Sequence, residues 1–120
     1  MAYIDGFVLA VPTANKEAYI KTAESINHLY TKHGAQLVME SWGDDVPHGE
    51  TTDFYKAVKA TDDETVVFSL VIWPDKATRE AGNAKIMEDM KSMDEAAMPM
   101  PFDGKRMIYG GFESIVKFEA

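Results

Sequence analysis

Residues 65–73, TVVFSLVIW, carry apolar side chains on both parities of a two-residue repeat. Thr65, Val67, Ser69, Val71 and Trp73 fall on one side; Val66, Phe68, Leu70 and Ile72 fall on the other. A strand alternates its side chains between two faces, so both faces of this strand need cover. YIDGFVLAV, residues 3–11, behaves alike, with Phe7, Leu9 and Val11 against Ile4, Val8 and Ala10. AQLVMESW, 35–42, alternates in part, and RMIYGGFESIVKF, 106–118, reads as a last strand interrupted by two glycines.

Helical spacing takes over between these runs. Tyr19, Ala23, Ile26 and Tyr30 step by four, three and four and build one apolar stripe. Thr13 or Asn15 can cap its start, and His33 with Gly34 suits its end. After Pro74, Asp75 caps a second helix expected over 76–93, with Ala77, Ala81, Ala84 and Met87 facing inward and Met90 or Met93 following. DFYKAVKA, 53–60, is long enough for one or two helical turns, and DEAAMPMPFDG, 94–104, reads as a loop with two prolines.

The order strand, helix, strand, strand, helix, strand predicts a single α+β domain over 1–120, a ferredoxin-like βαββαβ fold. Right-handed crossovers put both helices on one face of a four-stranded antiparallel sheet. The other face is also apolar, and a second copy of the same sheet is its simplest cover, so a homodimer through the sheet face is expected. The pair Gly110–Gly111 is expected to mark a bulge or sharp bend; close approach of the backbone to a ligand is the alternative.

Composition narrows the function. A formal net charge of −8 with no run of Lys or Arg argues against nucleic acid and acidic membranes as partners. Cysteine is absent, which removes disulfides, thiolate metal sites and a cysteine nucleophile, and fits the cytoplasm. No signal peptide or membrane span is evident. The loop 43–53 gathers Asp44, Asp45, His48, Glu50 and Asp53, yet its spacing fits no metal motif; solvated side chains are the plain reading, metal capture or a loop folded over a pocket mouth are the alternatives, and no cofactor is expected.

Asp5 is the candidate catalytic residue. It lies in an apolar strand that the topology makes central, where an unpaired carboxylate is costly and can become a general base. The plain alternative is a wet or hydrogen-bonded Asp near a strand end. Strand directions suggest two candidate ligand-binding groups: Tyr3 and Trp42 beside Asp5, and Trp73 with Arg106 and Tyr109 near Pro12. His28 should face solvent, and His33 suits a helix end.

WGDDVP at 42–47, DETVVFS at 63–69, WPDKATREAGNAK at 73–85 and MPFDGKRMIYGGFE at 100–113 resemble the YbaA-like family, a group of small bacterial proteins forming a domain of unknown function. The resemblance implies a dimeric α/β barrel. The wider superfamily holds cofactor-independent monooxygenases, haem-degrading enzymes, lactone isomerases and stress-response proteins. The haem-degrading branch carries an Asn on the first strand, a Trp on the third and a His on the second helix. This chain has Asp5 and Trp73 in loosely comparable places but no histidine on its second helix, so that chemistry is not expected. The expected function is binding of a small apolar or aromatic molecule in a pocket between helices and sheet. Oxygenase- or isomerase-type chemistry could be built on it; a non-catalytic binding or stress-related module is the alternative.

Overall fold

A computed structural model describes residues 1–93 and 100–120. Residues 94–99 of the predicted proline-bearing loop lie outside the described residues. The chain runs β1 (Tyr3–Pro12), α1 (Lys16–Lys32), β2 (Leu37–Trp42), α2 (Phe54–Ala57), β3 (Glu64–Trp73), α3 (Lys76–Lys91) and β4 (Ile108–Glu113). The strands form one antiparallel sheet in the order β2-β3-β1-β4, the predicted ferredoxin-like arrangement with β1 and β3 central.

Local chemistry sets the boundaries. The Asp75 carboxylate accepts from the backbone N–H of Thr78 at 2.7 Å and caps α3. At the end of α1, Gly34 takes a φ of +112°, which a side chain disfavours. Asn15 occupies the cap position of α1, but its amide turns away and donates to the Pro101 carbonyl at 3.0 Å. The predicted stripe of α1 is present and centred slightly to one side of its expected line: Tyr19, Thr22 and Leu29 are buried, and Ala23, Ile26 and Tyr30 half-buried.

α3 departs from expectation. Gly82 and Ile86 are its buried residues, whereas Ala77, Ala81, Ala84 and Met87 are exposed. The spacing of Ala77, Ala81, Ala84 and Met87 suggested an inward face. The helix instead turns its glycine inward because Trp73, wholly buried, fills the space beneath it. A Cβ at Gly82 would lie 2.5 Å from Trp73 Cζ3 and 2.7 Å from the His33 carbonyl oxygen. Gly82→Ala therefore has a defined expected outcome. Its gain in helix propensity is about 1 kcal/mol, but a backbone oxygen cannot yield, so urea unfolding should show a net loss of roughly 1–3 kcal/mol.

The double glycine makes no bulge. Gly110 pairs with Gly6 and Gly111 with Asp5 in an unbroken register. The glycines serve close packing instead: a Cβ at Gly111 would meet the Tyr3 hydroxyl at 2.5 Å, and the Phe112 ring lies against Gly6 and Gly110. The last strand is also shorter than predicted and ends at Glu113; residues 114–120 continue without a ladder.

The register sorts side chains between two faces. Asp5, Phe7, Leu9 and Val11 of β1, Val38, Glu40 and Trp42 of β2, and Val67, Ser69, Val71 and Trp73 of β3 share the face that α1 and α3 cover. The opposite face presents Ile4, Val8, Phe68, Leu70, Ile108 and Phe112, half-buried or exposed, around an apolar hollow of about 470 Å³.

Candidate functional site

Two carboxylates stand on the helix-covered face, and their surroundings differ. Asp5 is 5% exposed and fully engaged. Arg79 of α3 donates to it from Nη2 at 2.8 Å and from Nε at 3.1 and 3.2 Å, and Trp73 Nε1 donates at 3.0 Å. The carboxylate pushes the Arg79 guanidinium further toward its charged form, against the opposing effect of burial. Arg79 also lies over the Tyr3 ring at 5.2 Å. Asp5, Tyr3, Trp73 and Arg79 thus form one packed cluster at one end of the sheet.

Glu40 is held differently. It projects from β2 into a cavity of about 200 Å³ between the sheet and the helices. Tyr19 donates to Oε1 and Ser69 to Oε2, each at 2.6 Å. Each carboxylate oxygen keeps a second lone pair for another donor. The rest of the lining is largely apolar and aromatic, including Phe7, Val38, Tyr30 and Phe102, with the Asn27 amide as a further polar group. Tyr19 is pushed well above the ordinary phenol range, first by burial and then by Glu40, so it remains a donor. Tyr30 is raised by burial and then by the charges of Asp5 and Glu40, which places it under the influence of both carboxylates.

The structure regroups the predicted residues. Tyr3 stands beside Asp5 as expected. Trp73 pairs with Tyr3, so it belongs at the Asp5 end and not near Pro12. Trp42 pairs with Val67, which in turn faces Leu9, and so lies away from Asp5. Both corrections have one cause: in antiparallel pairs, the end of β3 meets the start of β1, and the end of β2 meets the start of β3. Tyr109 opposes Phe7, stacks on it at 6.3 Å and is largely exposed. Tyr109 and Arg106 therefore do not share a site with Trp73.

Arg106 is at the Pro12 end as predicted, where it clasps Glu64 through Nη1 at 2.8 Å and Nη2 at 2.7 Å. It also donates to Asp103 and to the Lys59 carbonyl. The Arg106 hydrogen bonds hold the Glu64 carboxyl at about 2, down from its ordinary 4.5. A depressed folded-state value gives stability that is complete above pH 4.5 and lost as pH falls toward 2. Acid unfolding should show this loss, and Arg106→Met should make stability fall less steeply between pH 4.5 and 2.

The acidic loop folds on itself. Asp53 accepts from the Lys56 and Gly49 backbone N–H groups at 2.7 and 3.0 Å, and His48 stacks on Tyr55 at 4.2 Å. The Tyr55 hydroxyl donates to the Val46 carbonyl at 2.7 Å, and Lys56 Nζ reaches the Gly49 carbonyl. Among the described residues no group of His, Asp and Glu side chains converges to hold a metal ion. His28 is exposed, and His33 bonds Asp89 of α3 at 2.6 Å, tying the end of α1 to α3.

Sequence reasoning missed Glu40 and Arg79. Glu40 had a signal: it sits between Val38 and Trp42 on the alternating face of β2. Arg79 had none, because the alanine spacing of α3 pointed to a different inward face.

The chain matches, over residues 2–104, the family described as protein of unknown function DUF1428. It belongs to the DUF1428 family. The Uncharacterized protein YbaA of Escherichia coli strain K12 is 52% identical over 116 residues, covering 97% of this chain and 98% of that protein. The protein of that name in Shigella flexneri shows the same identity and coverage. Among solved structures, a dimeric ferredoxin-like protein from an uncultured marine organism aligns over 99% of this chain and 98% of its own, with a TM-score of 0.56 and 14% identity. At that identity the likeness shows the ferredoxin-like fold. The DUF1428 match ends before β4, so β4 and the residues after it lie beyond the matched region. No helix among the described residues of this DUF1428 member is long and apolar enough to cross a membrane.

Proposed function

We propose that this DUF1428 protein is a homodimer that binds a small, flat, largely apolar molecule in the cavity between helices and sheet, with Glu40 fixing its orientation. The observation that carries this reading is a carboxylate with spare acceptor capacity in an otherwise largely apolar, aromatic-lined cavity. The volume of about 200 Å³ suits roughly one ring, since a dry cavity of about 150 Å³ is known to take benzene. Asp5, whose oxygens are occupied by Arg79 and Trp73, serves in this reading as the anchor of α3, and the acid–base role passes to Glu40.

The chemistry that Glu40 can perform unaided is proton transfer within one ligand. The carboxylate takes a proton from carbon, the electron pair moves into a carbonyl system, and the proton returns at another carbon. Such an isomerisation needs no tightly bound cofactor. The non-catalytic alternative is favoured by the two short hydrogen bonds that clamp the carboxylate from both sides. Solvent-deuterium uptake into a co-purified ligand separates the two.

The homodimer is supported by the apolar sheet face, and the marine protein of similar fold is itself described as dimeric. A cytoplasmic location agrees with the absence of cysteine.

Thermal unfolding with phenol and with toluene tests the site. A ligand that binds only the folded state raises Tm according to its affinity. Phenol can donate to Glu40 and toluene cannot, so phenol should stabilise the protein more. Glu40→Leu should abolish the difference. Equal shifts for the two probes in the unaltered protein would count against Glu40 as the orienting group.

A further inference from the structure

Beyond β4 the chain runs on without a regular element. Ser114 still donates its backbone N–H to the Ala2 carbonyl at 3.0 Å, but no ladder follows. The segment lies beside residues of β1, β2 and β3. Val116 and Phe118 line a hollow of about 490 Å³ together with Ile4, Ile72 and Leu37. Its apolar side chains stay in water: Ile115 is 82% exposed, Val116 69% and Phe118 94%. Its charged groups satisfy each other, Lys117 with Glu119 at 2.7 Å. An extended strip of three large apolar side chains above an unfilled hollow is costly in an isolated chain.

We propose that residues 114–120 form an arm that leaves its own sheet and packs against the β2 side of a second copy. This rests on the homodimer reading and adds to it the segment that crosses between subunits. A second copy is the occupant the observations favour, because one chain carries both halves of the contact. The arm supplies exposed Ile115, Val116 and Phe118; the open face supplies Leu37 and Met39 at its β2 margin, 37% and 49% exposed. A two-fold axis satisfies both arms and both margins at once. β2 is also an edge strand, with one row of backbone groups unpaired by the sheet, and an extended segment is the element that can add to such an edge. The charges argue against a membrane as occupant, since the chain carries −8 overall and the arm's own lysine is neutralised.

The chain has no cysteine, so a cysteine introduced at one position can be addressed alone. Phe118→Cys protein is mixed with affinity-tagged Met39→Cys protein, allowed to exchange subunits, and treated with a short bismaleimide. A cross-linked product containing both variants is expected. If the proteins sediment as dimers and no mixed product forms, the arm does not cross, and the arm proposal is overturned while the dimer stands. If they sediment as monomers, both readings fall. A second variant, Phe118→Asp, should raise the dimer dissociation constant about tenfold or more with an unchanged far-ultraviolet circular dichroism spectrum. An unchanged dissociation constant would equally overturn the arm.

Discussion

Arg79→Met is expected to destabilise the fold by about 3–5 kcal/mol, the range for removing one partner of a buried ion pair. Three donor contacts to Asp5 disappear and leave a carboxylate that is 5% exposed with Trp73 Nε1 as its remaining side-chain donor. The charge cannot reach water without pulling β1 out of the sheet, because Asp5 pairs with Val71 on one side and Gly111 on the other. Urea unfolding should show a lower midpoint with an unchanged slope, and Tm should fall by roughly 10–20 °C. Arg79→Lys should recover only part of the loss, since an ammonium cannot reproduce the planar fork. The double variant Asp5→Leu with Arg79→Met should be more stable than Arg79→Met alone, because it removes the uncompensated charge along with its partner. Additive losses in that cycle would show that Asp5 and Arg79 act independently.

On the proposed homodimer reading, Phe68→Asp is expected to give a monomer at micromolar concentration. Phe68 stands on central β3, opposite Val8 of β1, and projects from the sheet face that neither α1 nor α3 covers. It is 45% exposed in the single chain, so the folded monomer tolerates a carboxylate there. A two-fold partner stacked on this face would bury that carboxylate in both copies. Desolvating a charge without a partner costs several kcal/mol, and each ~1.4 kcal/mol is a factor of ten in the dissociation constant. A rise of at least about a hundredfold is therefore expected, read by sedimentation velocity across a dilution series. Retention of the dimer at the original affinity would place the interface elsewhere on the molecule.

These two predictions draw on different layers of information. The open face was legible in the sequence. Val66, Phe68, Leu70 and Ile72 alternate with Val67, Val71 and Trp73, and a strand apolar on both parities must be covered twice. The element order, the Asp75 cap and the end of α1 at Gly34 were legible for the same reason: each depends on near neighbours in the chain. Asp5 was also marked, as a carboxylate among apolar neighbours.

What the sequence could not decide was which distant groups meet. Spacing within α3 made its alanines look inward, yet the bulk of Trp73 and the approach of the His33 carbonyl require Gly82 there, and that rotation delivers Arg79 to Asp5. The two glycines of β4 looked like a bend, yet in an unbroken register they leave room for the Tyr3 and Phe112 rings. Glu40 joins Tyr19 and Ser69 across separations of 21 and 29 residues, which no local pattern encodes. Periodicity by itself determined the elements and the faces that must be buried, because backbone geometry fixes where successive side chains point. Strand register and helix rotation decided the site, because they are set by the packing of side chains that are far apart in the chain.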